Sequence, residues 1–408
     1  MSSRTLSLVA IAALLVGACN SSVPVPEPQI VIASNFPFAV EEGPAMQDAI
    51  QLAVAKNPTL RGYRIAYVPF DDSLGGAAWP EKGLQNLKVM FADPRVMGMV
   101  GPFNSYMAIE EIPRASAENL VMVSPSVTNS CFTVLPLCNP DFEAAHSSGH
   151  FSFFRIAPPD PVQGRAMANF AVQLNITRAA AINMWNGPPF GNGELYVDQF
   201  RRELSARGGE VVLAGDVPRP THDFTDFLAQ AKRAGAEAIY AVGDSLGGIC
   251  AIRSQMGSDF KYLFFTDGVT GDDDCVKGAS APPTYGTFGG VDATSSSDPV
   301  AKGIVNSFRA TYPHATIGQY TFAAYDSALI LITAIGRAID ANGGSVPTRQ
   351  EVLLQMTSGQ FPAGATGSYS FLPSGDARSP MMSMWGVKGG ATGNHWYYID
   401  RVDASAAS

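Results

Sequence analysis

Two neighbouring stretches, V-G-P-F-N-S-Y-M-A (residues 100–108) and V-M-V-S-P-S-V-T-N (121–129), decide how this chain is read. Each belongs to a short, mostly apolar run (98–101 and 121–124) that ends at a turn, and helix-forming sequence lies between them. Apolar runs of this length, without polar alternation, belong to strands buried on both faces of a parallel sheet. The same rhythm extends outward in both directions. Runs at 30–33 and 64–68 alternate with helical stretches at 45–56 and 82–91, and the pattern restarts at 179–184, 211–214, 238–242 and 262–266. Two successive parallel-sheet units of the α/β class are therefore expected. Ligands of such sheets bind beyond the carboxyl ends of the strands, so the residues that follow each strand are the candidates for function.

Composition sets the bounds. The 408 residues are 46% hydrophobic and 15% charged, which describes a folded chain of about two domains. A net charge of -9 with no basic stripe argues against nucleic acid as a partner. The run A-L-I-L-I-T-A-I (328–335) is too short to span a bilayer and is bracketed by Asp326 and Arg337, so it is expected as a buried helix.

At the N-terminus, Arg4 precedes an apolar run (6–15) and the small residues Gly17 and Ala18. This order predicts a signal peptide over residues 1–18. L-V-G-A-C (15–19) resembles the lipobox of bacterial lipoproteins, which implies lipidation at Cys19 and a membrane anchor. The following N-S-S-V-P-V-P-E-P-Q (20–29) reads as an extended spacer. With Cys19 set aside, four cysteines remain to pair in an oxidising compartment. Of the three possible connectivities, nearest-neighbour pairing, Cys131 with Cys138 and Cys250 with Cys275, is favoured over a metal site.

The motifs at 100–108 and 121–129 also carry a family likeness. With F-D-D-S (70–73), F-R-I-A-P-P-D (154–160), F-F-T-D-G (264–268), A-A-Y-D-S-A (323–328) and G-A-T-G-S-Y-S-F-L-P-S-G-D (364–376), the chain resembles the type I periplasmic binding proteins. It is most similar to the branch that binds leucine, isoleucine and valine for ABC transporters. The resemblance implies two Rossmann-like lobes, 29–157 with 290–376 and 158–289 with 377–403, joined by a hinge of three crossovers, with a tail at 404–408. Those crossovers are expected at 154–160, near 285–291 and near 378–387. It further implies a monomer that uses no cofactor or metal and presents a small molecule to an ABC permease; a ligand sensor of the same fold is the alternative.

By the same resemblance, Ser105, Ser126 and Thr128 hold a ligand carboxylate, and Asp267 receives its ammonium group. Hydroxyls and free amides at helix N-termini suit an anion on physical grounds as well. Asp244, after the preceding strand, is a second acidic candidate. The chain departs from the family in having N-F-P-F-A-V-E-E-G (35–43) where a polar turn is usual. Phe36, Phe38, Phe103, Tyr106 and Phe190 are accordingly expected at a more apolar pocket mouth, which suits an amino acid or a related amide or apolar metabolite.

One catalytic reading competes. V-G-D-S-L-G-G (242–248) matches the G-x-S-x-G elbow and would make Ser245 a nucleophile. It lacks both a D-x-x-H block and an H-G-G-G-type oxyanion segment, and only His314 or His395 is available as base. His146 and His150 lack the Glu of H-E-x-x-H and read as a loop. A binding protein rather than an enzyme is expected.

Overall fold

The structure is a computed structural model that describes residues 29–38, 42–133, 146, 149–186, 193–278, 281–379, 381–390 and 393–403. The signal and lipidation reading at Cys19, and Cys138 and Phe190, fall outside these residues.

Two sheets organise the chain. The first contains β1 (Gln29–Phe36), β2 (Thr59–Leu60), β3 (Tyr63–Asp71), β6 (Val96–Val100), β7 (Val121–Ser124) and β8 (Phe153–Arg155), while β4 (Ser73–Leu74) and β5 (Ala77–Ala78) form a separate small hairpin. Its order is β2-β3-β1-β6-β7-β8, parallel except for β2. Strands β6 and β7 are buried at every position, which is why they carry no polar alternation. The second sheet uses β9 (Arg178–Asn183), β10 (Glu210–Asp216), β11 (Ala238–Val242), β12 (Tyr262–Phe265), β13 (Thr284–Phe288), β14 (Met381–Gly390) and β15 (Gly393–Asp403). It runs β10-β9-β11-β12-β13-β14-β15, parallel through β13 and antiparallel beyond.

The chain passes between the sheets three times: after β8, after β13, and before β14. Residues 285–288 and 381–387, expected as crossover, are instead strand, and the second and third passages lie just outside them. The run at 328–335 is inside the helix Thr321–Ala341, whose buried residues join the first sheet's core with those of Pro299–Thr311. Asp326, fully buried in that helix, accepts the backbone N–H groups of Ala365 and Thr366, each at 2.7 Å, and so fixes the segment that leads to the third passage.

Cys250 and Cys275 form a disulfide, as the nearest-neighbour reading expected. Cys131 is disulfide-bonded as well.

Candidate functional site

Between the carboxyl ends of the two sheets lies a cleft of about 1170 Å³. Its first wall grows from the turns after β6 and β7. Gly101 adopts φ +129, and a Cβ there would lie 2.7 Å from the Asn35 carbonyl oxygen, so only glycine lets the chain turn this tightly against β1. The Ser124 hydroxyl donates to Pro102 O at 2.8 Å and accepts the N–H groups of Ser126 and Val127. The Ser126 hydroxyl donates to Phe103 O at 2.8 Å, and Asn129 N donates to Ser105 Oγ at 3.4 Å. These bonds lock the two turns together and bring Ser105, Tyr106, Ser126, Thr128 and Phe103 to the cleft.

Arg155 braces this wall from behind. Its side chain is fully buried, ion-paired to Asp376 at 2.7 Å, and donates to the carbonyls of Val127 (3.4 Å) and Asn129 (2.6 Å) and to the Thr133 hydroxyl. One guanidinium thus ties the loop after β7 to both strand β8 and the third passage.

The opposite wall comes from β9, β12 and two helices. Asp267, two residues after β12, accepts from Gln163 Nε2 at 2.8 Å; Gln163 is itself oriented by Thr287 at 3.0 Å. Tyr196, on the helix Gly193–Ala206, donates to Asp160 Oδ1 at 2.8 Å and lies 3.3 Å from Asp267 Oδ1. A phenol has one proton, so it goes to the nearer carboxylate. Burial and the neighbouring Asp160 charge push the Asp267 carboxyl up to about 7, and burial also raises Asp160. A bound cation would supply the counter-charge that this acid pair wants.

Asp244 and Phe36 are corrected by their surroundings. Asp244 is held bidentately by Arg219 (both 2.9 Å), and accepts from Trp185 Nε1 at 2.7 Å and Gly247 N at 2.8 Å. Burial opposes its ionisation, but the hydrogen bonds from Arg219 and Trp185 win and hold its pKa low. Its carboxylate therefore positions Trp185, whose ring does line the cleft. Gly268 makes room for that ring, since a Cβ there would lie 2.6 Å from Trp185 Cζ2. Phe36 is fully buried in the first sheet's core: β1 is covered on both faces, and alternation puts Phe36 with Ile30 and Ile32 against one of them.

Trp185, Tyr196, Asp160 and Tyr320 complete the cleft and had not been singled out. Trp185 lies two residues after β9, so the strand-end rule already pointed to it. The others come from helices or loops that only tertiary packing brings in. A bond joins the walls: Gln319 Nε2 donates to Thr270 O at 2.9 Å, while Glu42 accepts the amides of Gln319 (2.9 Å) and Tyr320 (3.2 Å).

Ser245 receives no support as a nucleophile. Its amide donates to Gly268 O, and no hydrogen bond joins its hydroxyl to a histidine among the described residues. His395 sits on the β14–β15 hairpin opposite Lys388.

A cleft between two largely parallel sheets, linked by three passages and lined by both hydroxyls and acids, defines a two-lobed clamp for a small solute. The chain belongs to the periplasmic binding protein family, whose model matches residues 37–394. This is an extracytoplasmic family of binding proteins, not of enzymes. Similar to it at 24% identity over 363 residues, 87% of this chain and 89% of the relative, is Leu/Ile/Val-binding protein homolog 2 of Brucella abortus strain 2308. Among solved structures, an ABC transporter substrate-binding protein from Desulfitobacterium hafniense in complex with Leu aligns with a TM-score of 0.72 at 18% identity, covering 91% of this chain and all of that one. A solute-binding protein of an ABC transporter from R. palustris in complex with benzoate aligns at 0.67 and 18% identity, covering 93% and 98%.

The buried acids make stability depend on pH in a definite direction. Burial lifts Asp267 and Asp72 to about 7 and Asp326 to about 6. The folded state then holds protons that the unfolded state has lost between about pH 4 and 7, so stability falls as pH rises through that window. Asp71, where burial is outweighed by hydrogen bonds from Phe38 N, Ser73 and Lys82, is lowered to about 2 and acts oppositely, its contribution vanishing as pH falls below about 4. Urea titrations of the unliganded protein are expected to give a maximum near pH 4–5 and lower stability at pH 8; a rise from pH 5 to 8 would contradict the assignment.

Proposed function

We propose that this protein captures a small molecule bearing an amino group between its lobes, 29–157 with 290–376 and 158–289 with 377–403, and presents it to an ABC permease. Asp267, with Gln163, Tyr196 and Asp160 around it, receives the ammonium group, while Ser105 and the loop carrying Ser126 and Thr128 face it from the other lobe. The single observation that supports this reading is that Asp267 and those hydroxyls line one cleft, together with rings from both lobes. Tyr106 and Phe103 supply apolar surface for the body of the solute. An amino acid or a related amide or apolar metabolite fits these features.

Cys19 is the proposed lipid attachment, with residues 20–29 as the tether that keeps a monomeric clamp within reach of its membrane partner. Hinge closure commits the solute, and the Gln319–Thr270 bond across the mouth supports the closed state.

A thermal-shift screen of the lipid-free protein against amino acids, amides, purines and apolar metabolites tests this directly. A ligand at 100 times its Kd is expected to stabilise the native state by about 2.7 kcal/mol. Absence of any shift with every amine-bearing compound would remove Asp267 from the role given to it.

A further inference from the structure

Among the described residues, the cleft wall carries seven carboxylates and one guanidinium, Arg309. A site built for a neutral zwitterion balances the two, with donors for the carboxylate as well as acceptors for the ammonium. Here the balance is uneven even after local pairing is counted. Lys277 pairs with Asp274, and backbone amides engage Asp272 and Asp273. Asp267, by contrast, is met by two neutral groups, Gln163 and Tyr196.

The expected carboxylate donors are already committed. The Ser126 hydroxyl is spent on Phe103 O at 2.8 Å, and the Thr128 hydroxyl bonds to Asp160. Ser105 alone of the three holds its proton in reserve, since its Oγ accepts from Asn129 N. Aromatic rings make up much of the remaining wall, with Trp385 Nε1 as one donor still without a partner among the described residues: Trp185 and Tyr196 lie 5.6 Å apart at a tilt, and Phe103 meets Tyr320 edge-on at 5.7 Å. Ring faces are electronegative and attract ammonium or guanidinium groups while offering nothing to an anion. The cleft's volume of about 1170 Å³ leaves room for a body larger than a leucine side chain.

We infer that the solute is a small organic cation with an apolar or flat body, its positive end at Asp267 and its body among Trp185, Phe103 and Tyr320, and that a ligand carboxylate is gripped weakly or is absent. This rests on the solute-capture reading above and narrows its ligand class. Asp160 adds negative potential behind Asp267, and the rim acids Asp272 and Asp273 extend it outward, which draws cations toward the mouth.

Calorimetric titration with two charge series of constant body separates the cases. The first is phenethylamine, phenylalanine and 3-phenylpropionate; the second is isoamylamine, leucine and 4-methylpentanoate. Within each body that binds, the amine is expected to bind about tenfold or more tighter than the zwitterion, with the anion undetected, and raising salt from 20 to 500 mM is expected to weaken the amine several-fold. In Asp267→Asn the amine preference is expected to collapse; the salt dependence of the unaltered protein serves the same end should that variant fail to fold. A zwitterion or anion that matches its amine, or silence of both amines, overturns the cation assignment. A hit elsewhere in the wider thermal-shift panel would then leave solute capture standing without it.

Discussion

Asp267→Asn is expected to lower affinity for an amine-bearing ligand at pH 8 by about 10²–10³-fold while raising the stability of the empty protein. Both effects have one origin. Asp267 is pushed up to about 7 by burial and by the charge of Asp160, so its ionised form is disfavoured until a cation arrives. Removing the charge removes the partner of the ammonium, at a cost of about 2–5 kcal/mol for a desolvated pair. It also removes the repulsion from Asp160 in the empty cleft, which stabilises the fold above pH 7. Calorimetric titration together with a thermal melt reads both. A variant that loses affinity and stability together would show Asp267 to be a structural residue instead.

The second large effect is expected at Arg155. Arg155→Met is expected to destabilise the fold by about 3–5 kcal/mol, because it leaves Asp376 charged and nearly enclosed and strips a donor from the carbonyls of Val127 and Asn129. An exposed ion pair such as Arg61 with Asp340 is worth under about 1 kcal/mol, so Arg61→Met supplies the contrast in the same urea experiment. Since Arg155 also anchors the loop that carries Ser126 and Thr128, ligand affinity is expected to fall even where the variant remains folded. A loss under 1 kcal/mol with binding intact would contradict the bracing role.

How much of this was legible beforehand depended on where each residue sits relative to the backbone's own rules. Ser105, Ser126, Thr128 and Asp267 follow strands that are mostly apolar and buried, so their place at the sheet edge is written locally, and all four line the cleft. Phe36 ends a strand too, yet β1 is buried on both faces up to its last residue, and sequence position alone cannot tell the last covered residue from the first one at the cleft. Asp244 obeys the strand-end rule in position but not in role: Arg219, from a loop 25 residues earlier, claims its carboxylate. That partnership is tertiary and leaves no local trace.

The fold shows the same division. Parallel strands with crossover helices produce a repeating signal along the chain, and that signal located eight strands and the two-sheet plan. The antiparallel pair β14 and β15 breaks the rhythm. Its Gly-, Met- and Trp-containing sequence lacks alternation clean enough to mark a hairpin, so residues 381–387 read as connection rather than strand. Asp160 and Tyr196 reach the acid cluster from two helices, and only the packing of those helices side by side joins them to Asp267.

Saturable binding in the cleft is the claim on which the rest depends, and intrinsic fluorescence reports on it because Trp185, Trp385 and Trp396 all line that space. Titration of the lipid-free protein with a compound that passes the thermal-shift screen is expected to give a saturable one-to-one change in tryptophan emission that Asp267→Asn abolishes at the same concentrations. A change that fails to saturate, or that survives in the variant undiminished, would contradict the account.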